Sequence, residues 1–459
     1  MRRLPVLLLA ASLAGCSAAS PSSPSSPGAS ASPGTSATPG VPATPSGTPV
    51  PSLATDANGI ALAEAHLPRL AASDTDARSA GTAVDAFGLA LYAQAKSGTG
   101  NIVISPASVA VALSMARAGA RGTTADEMDA VLHDLATDGH ASWVASLDQA
   151  LAARTGSFPD LTGQAQQVTL RIANAPFAQR DMTLVPAYLD ALSARFGAGV
   201  RLVDYKTAAE PARTAINSWV ADQTEQRIKN LLGAGSVTDM TRLVLVNAIY
   251  LKAAWLKPFD AQATAAAPFH LASGSTVQAQ MMGTGGEMPY AAGSGWKAVE
   301  LPDVGNKLAM LVIEPDNLAS FEAHFDAATL TSITGALADR QVVLGLPKFS
   351  AQSSLSLSEA LQAMGMPTAF GGSADFTGIT TDEPLAISDV IHQANIDVDE
   401  KGTTAAAATA VMVAATGMLS DQVTLPVDHP FLFAVRDLDT GAVLFLGRIT
   451  DPTLAAPKN

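Results

Sequence analysis

The sequence predicts an α+β fold in which one large domain follows an exported, disordered N-terminal segment. Two observations support this prediction: helical patterns dominate the first half of the globular part, and strand patterns dominate the second half. The length alone would favour two domains. However, no second linker and no internal repeat interrupts the chain after the first segment. We therefore expect a single domain over residues 61–459.

Residues 1–16 resemble a lipoprotein signal peptide. Two Arg residues follow the initial Met, and the apolar run at 4–13 is too short to span a bilayer as a helix. The run ends in the tetrapeptide LAGC, which is similar to a bacterial lipobox, and its Cys16 is the only Cys of the chain. We expect lipidation at Cys16 and an extracellular protein, anchored to the cell membrane or released from it. Ordinary secretory cleavage nearby is the alternative.

Residues 17–60 predict a disordered tether. Up to residue 52 this segment consists almost entirely of Ser, Pro, Ala, Thr and Gly and carries no charge. Such a composition cannot bury a core. As a flexible chain the segment would reach about 30–35 Å, enough to hold a domain clear of a membrane surface.

Helical spacing of apolar residues predicts the helices of the first half. Val84, Phe87 and Leu91 recur at this spacing. Ser105 and Pro106 open a second helix, with Ser as the N-cap and Pro in the first turn. Further helices are predicted through Met128 and Leu132 and through Ile216, Trp219 and Val220.

Strand patterns follow. The nearly unbroken apolar run at 243–251 predicts a central strand that is covered on both faces. Further strands are predicted at 308–313, 342–346 and 387–398. The chain closes with apolar runs at 431–435 and 443–447 around the turn sequence DLDTG, which predicts a hairpin.

Charge and motif content disfavour several functional classes. The net charge of −14 argues against nucleic acid or an anionic membrane surface as the partner. None of the seven His residues forms a metal-spaced pair, and no Cys is available for zinc. A match to SxxK at Ser294 and Lys297 lacks its companion motifs, and no GxSxG or Walker A sequence occurs. We expect a protein that is not an enzyme and has no metal or cofactor.

Asn247 lies within the most apolar run of the chain. A buried amide without hydrogen bonds would cost roughly 1–3 kcal/mol, so it needs partners. Candidate partners are His392 and the hydroxyl groups of Ser105 and Ser108. A polar cluster in a sheet suggests a place where strands part and close.

The segment EKGTTAAAATAV at 400–411 has two interpretations. Ala is the best helix former, so the segment could be an ordinary helix. The small, uncharged and increasingly β-prone residues after Gly402 also suit a loop that becomes a buried strand. No Lys or Arg occurs between Lys401 and Arg436.

Spaced motifs over the whole globular part resemble the serpin family. The matching segments, in serpin order, are NIVISPASV at 101–109, LVNAIYLK at 245–252, LPKF at 346–349, ADFTGI at 374–379 and DHPFLF at 428–433. The resemblance implies a serpin-like fold with three β-sheets, eight or nine helices and an exposed reactive centre loop near the C-terminus.

The resemblance also implies roles for individual residues. One group resembles the shutter, a polar cluster under the sheet that opens: Ser105, Pro106, Ser108, Asn247 and His392. Trp255 resembles the breach, where the loop first enters the sheet. The residues that resemble the loop hinge are Glu400, Gly402, Thr403, Ala405, Ala406, Ala407, Ala408 and Thr409.

The mechanism that the resemblance implies is suicide-substrate inhibition of a serine-type endopeptidase. The cleaved loop inserts into the main sheet and traps the acyl-enzyme. Because burying an unpaired charge is prohibitive, the inward face of the inserting strand must be uncharged. With the period-2 alternation of a strand, this face comprises Thr403, Ala405, Ala407, Thr409 and Val411.

The usual spacing in the family, counted from Glu400, places the reactive-site bond between Thr416 and Gly417. The alternatives are the bonds Ala415–Thr416 and Met418–Leu419. All these residues are uncharged, so we expect as partners serine proteases with small or apolar specificity pockets, such as elastase-like or subtilisin-like enzymes. We expect a monomer. The alternative function is that of a non-inhibitory serpin-fold binding protein at the cell surface.

Overall fold

A computed structural model describes residues 54–96, 98–403 and 422–454 of the chain. The predicted signal peptide with Cys16, the tether up to residue 53 and most of the predicted reactive loop lie outside these residues. All structural statements below concern the described ranges.

These ranges contain nine α-helices. Their bounds are α1 (Asp74–Ala95), α2 (Pro106–Arg117), α3 (Gly122–Val131), α4 (Ala141–Ala152), α5 (Pro186–Phe196), α6 (Tyr205–Gln223), α7 (Leu318–Glu322), α8 (Ala327–Ala336) and α9 (Ser358–Met364). Two short 3-10 helices occupy Asp138–His140 and Thr368–Phe370. None of the helices in the described part of the chain combines the length and apolar character needed to cross a bilayer.

Within the described ranges, the strands form two networks of nine strands each. The first sheet has the order β1 (Ala54–Thr55), β2 (Ala61–Ala63), β6 (Val200–Val203), β5 (Ala165–Gln179), β7 (Leu243–Ala254), β15 (Gly402–Thr403), β14 (Val390–Asp399) and β13 (Phe349–Ser356), with β4 (Gly156–Pro159) paired to β5. The second has the order β16 (Val423–Leu425), β12 (Ala338–Pro347), β9 (Thr276–Gly293), β10 (Trp296–Pro302), β11 (Leu308–Pro315), β17 (Phe431–Asp437), β18 (Val443–Ile449) and β3 (Ile102–Ile104), with β8 (Ala265–His270) paired to β9.

The long strand β9 explains why two networks are found where the family resemblance implied three sheets. Its segment from Met281 to Tyr290 pairs with β12, whereas Tyr290 to Gly293 pairs with β10. One strand therefore joins two groups of strands into a single hydrogen-bonded sheet. The α+β architecture and the number of helices agree with the prediction.

The predicted central strand at 243–251 is β7, and both of its faces are covered. One face belongs to the main core, which includes Leu245 and Ile249 together with the central helices. The other face packs against α6, where Val246 shares a smaller apolar cluster with Ile216 and Val220. The apolar face of α6, predicted from the helical spacing at Ile216, thus packs against one face of the apolar strand β7.

The tether ends earlier than the sequence predicted. Strand β1 pairs with β2, and Ile60 is buried. A turn connects them, because a carboxylate oxygen of Asp56 accepts hydrogen bonds from the backbone N–H groups of Asn58 at 3.0 Å and Ile60 at 2.9 Å. Arg201 pairs with the same carboxylate at 2.8 Å. The prediction of disorder is therefore wrong for residues 54–60, since a composition rule does not register such side chain to backbone contacts.

Candidate functional site

The residues that resemble the shutter meet where α2 begins beneath the first sheet. Ser105 follows β3 and caps α2, accepting a hydrogen bond from the backbone N–H of Ser108 at 3.3 Å. Asn247 in β7 and His392 in β14 are direct neighbours in the parallel register of the two strands. The structure therefore brings together two hydroxyl groups, an amide and an imidazole that are distant in sequence.

His392 is held in one neutral form. Its Nε2 atom accepts a hydrogen bond from the backbone N–H of Ser105 at 2.9 Å, so this nitrogen carries no proton. Its Nδ1 atom therefore carries the proton and donates it to Oδ1 of Asn247, 2.6 Å away. The ring is fully buried, and burial lowers the pKa of His392 to about 3. The cause is the cost of placing a charged ring in the protein interior.

Asn247 completes the cluster. Its Nδ2 atom donates to Oγ of Ser108 at 2.7 Å and to Oδ1 of Asn174 at 2.8 Å. Asn174 in turn donates from its own Nδ2 to the backbone oxygen of Ser108 at 3.1 Å. Every polar atom of the Asn247 side chain thus has a partner, as a buried amide requires.

Asn174 was missed in the sequence. It lies in β5 directly opposite Asn247 in the antiparallel register. It could have been found by the criterion that singled out Asn247, because it is an amide within an apolar segment. We name Ser105, Ser108, Asn174, Asn247 and His392 the polar cluster. Pro106 contributes differently: it is the first residue of α2 and packs against Gly88, where an added Cβ would lie 2.4 Å from the Pro106 ring.

Strands β7 and β14 part immediately after the polar cluster. Their direct pairing runs from Leu245 with Val390 to Ala248 with Gln393 and does not continue within the described residues. At the far ends of both strands, β15 lies between them and pairs antiparallel with each one. The polar cluster therefore marks the fork between two strands, and the first residues of the predicted hinge lie at its open end.

The two residues of β15 fit tightly into this opening. Thr403 is 1% exposed and donates from its hydroxyl group to the backbone oxygen of Ala253 at 3.3 Å. Gly402 lies against the same residue, since a Cβ added to it would lie 2.0 Å from the Ala253 oxygen. Position 402 therefore requires a residue without a side chain.

Trp255 contacts the turn that leads into β15. Its indole Nε1 donates to the backbone oxygen of Asp399 at 2.9 Å, and its backbone N–H donates to the oxygen of Lys401 at 2.9 Å. The predicted breach residue and the predicted hinge are thus in direct contact, and the end of β7 holds the turn by both main-chain and side-chain bonds.

Glu400 fixes the same turn from the other side. One carboxylate oxygen pairs with Nζ of Lys348 at 2.8 Å, and the other accepts from the hydroxyl group of Thr264 at 2.8 Å. Partial burial would raise the pKa of Glu400, but the hydrogen bonds from Lys348, from the backbone and from Thr264 outweigh burial and hold this pKa below its usual value. Glu400 is therefore ionised and anchored at neutral pH.

Several predicted residues lie outside the described residues. They are the remaining hinge residues Ala405, Ala406, Ala407, Ala408 and Thr409, the reactive-site candidates Ala415, Thr416, Gly417, Met418 and Leu419, and the predicted lipidation site Cys16. The described chain resumes at residue 422, just before β16.

Residues 82–452 match the protein-family model described as serpin (serine protease inhibitor). The chain belongs to the serpin family. An uncharacterized serpin-like protein of Thermococcus kodakarensis is 36% identical over 374 residues, which are 81% of this chain and 85% of that protein. The leukocyte elastase inhibitor of Sus scrofa is 36% identical over 365 residues, which are 77% of this serpin and 93% of the relative.

Solved structures resemble the same domain. Uncleaved ovalbumin has a TM-score of 0.72 at 29% identity, and the match covers 81% of this serpin and 100% of ovalbumin. Native tengpin, a thermophilic serpin, has a TM-score of 0.75 at 22% identity, and the match covers 85% of this serpin and 99% of tengpin. The predicted family and the predicted α+β serpin fold are confirmed. Membership also assigns the chain broadly to protease inhibition and confirms the prediction that it is not an enzyme.

Proposed function

We propose that this serpin inhibits serine proteases as a suicide substrate, by inserting its cleaved loop into the first sheet. The observation that carries this proposal is β15. Its two residues, Gly402 and Thr403, are paired with both β7 and β14 at the place where these strands are apart. The start of an inserted strand is therefore in register before any protease acts.

In this mechanism the driving force comes from filling the gap between β7 and β14 with a new strand. Strands β7 and β14 run parallel to each other, and β15 is antiparallel to both. Continuation of β15 towards the polar cluster would add a central antiparallel strand with a full ladder of backbone hydrogen bonds on both sides. A fold that gains a central strand after cleavage stores free energy in its uncleaved state, and insertion releases that energy.

The sequence beyond β15 suits this path. Thr403 is buried, and the residues that share its face in a strand are Ala405, Ala407, Thr409 and Val411. All are small or β-branched and none is charged. Insertion would therefore bury no unpaired charge, whereas a charged residue on this face would make insertion costly.

The proposed targets are elastase-like or subtilisin-like serine proteases. The proposed reactive-site bond joins Thr416 and Gly417, with Ala415–Thr416 and Met418–Leu419 as alternatives, and none of these residues is charged. A trypsin-like protease would need Lys or Arg. The relatives from Sus scrofa and Bos taurus, whose alignments each cover 77% of this chain, are leukocyte elastase inhibitors. Their names support the same choice of target.

The test is incubation with elastase and with subtilisin, followed by denaturing gel electrophoresis and mass spectrometry of the released peptide. We expect a complex that resists SDS and a peptide that begins within residues 414–419. Trypsin serves as the control protease and should give no complex through this segment. Free turnover of the loop by both proteases would instead favour the non-inhibitory binding function, and cleavage elsewhere would refute the proposed bond.

We further propose that the protein is exported as a monomer and is anchored through a lipid on Cys16. The lipobox-like tetrapeptide and the uncharged segment after it support this proposal. Cys16→Ala should release the protein from the membrane fraction of the producing cells, whereas the neighbouring substitution Ser17→Ala should not. An unchanged membrane fraction for Cys16→Ala would refute the anchor.

A further inference from the structure

A cluster of potential metal ligands lies in the second sheet, separate from the polar cluster. One ligand atom each of Glu314, Asp428 and His429 lies within 4.8 Å of the other two. Glu314 is near the end of β11, and the other two residues precede β17. We name these three residues the carboxylate–imidazole cluster.

Contacts within the cluster orient its side chains. The backbone N–H of Asp428 donates to Oε1 of Glu314 at 3.1 Å, and Nδ1 of His429 lies 2.6 Å from Oδ1 of Asp428. A second imidazole is close: His270, at the end of β8, stacks on His429 with ring centroids 5.0 Å apart. The backbone N–H of His270 also donates to the backbone oxygen of Asp428 at 2.7 Å.

The carboxylates of the cluster form no direct ion pair with Lys or Arg within the described residues. Glu314 is only 8% exposed, yet it forms no ion pair with Lys or Arg among the described residues. Burial raises the pKa of Glu314, whereas Lys297, its neighbour in the β10–β11 register, acts on it electrostatically without forming an ion pair. A buried carboxylate beside a second carboxylate requires a positive partner.

We propose that Glu314, Asp428 and His429 bind a zinc ion. Zinc takes carboxylate oxygen and imidazole nitrogen at about 2.0–2.2 Å and prefers four ligands in a tetrahedral arrangement. Ligand atoms around such an ion are about 3–4 Å apart, which the spacing of the cluster accommodates after a small movement of the exposed His429 ring.

Two features explain why local sequence spacing did not predict this site. Glu314 and Asp428 are 114 positions apart and meet only in the folded chain. The two adjacent residues, Asp428 and His429, do not form any familiar ligand spacing by themselves. The set becomes visible because folding brings the end of β11 and the segment before β17 together, beside the end of β8.

The site would hold the C-terminal side of the reactive loop. Strand β16 is the first described element after the predicted reactive-site bond, and Asp428 follows it by three residues. Between them Val427 has a φ of 35°, which a β-branched residue adopts only when its surroundings fix it. A zinc ion on Asp428 would therefore link this end of the loop to Glu314 in β11.

The experiment is titration of the full, metal-free chain with Zn²⁺ in an isothermal calorimeter. We expect one equivalent to bind, with an affinity at least tenfold weaker in Glu314→Gln and in His429→Gln. His66→Gln is the matched control, because this His side chain is 85% exposed and lies outside the cluster. Cys16→Ala controls for binding by the thiol and should leave the affinity unchanged.

Two results would overturn the proposal: no saturable binding of one equivalent, or equal affinity in the wild type and both cluster variants. His429→Gln keeps the test decisive if Glu314→Gln fails to fold, because the His429 side chain is largely exposed. Thermal unfolding gives a second measurement, since Zn²⁺ should raise the melting temperature of the wild type but not of His429→Gln. No protease is involved, so the outcome is independent of the proposed inhibition.

Discussion

His392 donates a hydrogen bond to Asn247 at the fork where β7 and β14 stop pairing, across 2.6 Å between Nδ1 and Oδ1. The bond joins the two strands that would separate further to admit an inserted loop. The bond is fully buried and belongs to a network in which both ring nitrogens of His392 and both amide atoms of Asn247 form hydrogen bonds. In the proposed insertion mechanism, this pair would couple the stability of the closed sheet to the ease of its opening.

Asn247→Ala should lower the free energy of unfolding by roughly 2–4 kcal/mol. The substitution leaves Nδ1 of His392 buried without its acceptor, and an unsatisfied buried group costs about 1–3 kcal/mol. It also removes the hydrogen bonds that Nδ2 donates to Ser108 and Asn174. Urea unfolding measures the change. Asn230→Ala, an exposed site, is the control and should shift stability by less than about 0.5 kcal/mol. Equal effects of the two substitutions would contradict the role of the network.

His392 should make the protein sensitive to acid. Its pKa is about 3 in the folded chain, against 6.5 for an unperturbed His. Between these values the unfolded chain binds one more proton, so the free energy of unfolding falls as the pH falls, by about 1.4 kcal/mol per pH unit. The contribution is complete above pH 6.5 and is lost progressively towards pH 3.

The measurement compares urea unfolding at pH 7 and pH 5 for the wild type and for His392→Gln, whose amide can both accept and donate. Over this interval the wild type should lose about 2 kcal/mol more than the variant. His66→Gln is the control for removal of an exposed His and should behave as the wild type. An equal loss in wild type and His392→Gln would show that His392 is not the group responsible.

Thr403→Arg should convert the inhibitor into a substrate. Thr403 is already buried between β7 and β14, so a guanidinium group there would either be buried without a partner or displace β15, the start of the inserting strand. We expect loss of the SDS-resistant complex with elastase, while cleavage of the loop continues. Thr424→Arg adds the same charge at an exposed position of β16 and should keep the complex. Retained inhibition by Thr403→Arg would refute insertion of this strand.

Gly402→Ala should displace β15 from the sheet. A Cβ at this position would overlap the backbone oxygen of Ala253, which cannot move without breaking the pairing of β7. Hydrogen exchange should therefore speed up at residues 402 and 403 by an order of magnitude or more. Gly233→Ala is the matched control, because an added Cβ there meets nothing within 4 Å. Unchanged exchange in Gly402→Ala would contradict the tight fit of β15.

Patterns local in the sequence predicted much of the fold. The apolar run of β7, the cap of α2 at Ser105 and the closing hairpin of β17 and β18 each depend on neighbours along the chain, and all are found. The family motifs supported the prediction that the globular part is one large domain. The ordered turn at Asp56 was missed, because its carboxylate contacts backbone groups that composition does not encode.

The candidate site was predictable only in part. Asn247 and His392 stood out as polar residues in apolar segments, but Asn174 was overlooked although it faces Asn247 across the sheet. Register decided this contact, and one residue of slippage would turn Asn174 to the other face of the sheet. The anchoring of Glu400 by Lys348 and Thr264 likewise depends on three elements that no local pattern connects.

The sequence by itself determined the family, the α+β architecture and a segment after Gly402 whose alternate residues up to Val411 carry no charge, because these properties follow from residue types and their spacing. Only the tertiary structure decided that β15 already lies between β7 and β14, and that the polar cluster stands where these strands part. It also brought Glu314 to His429. The physical reason is the same in each case: hydrogen bonding between strands and contacts between distant side chains depend on register and packing, which exist only once the chain has folded.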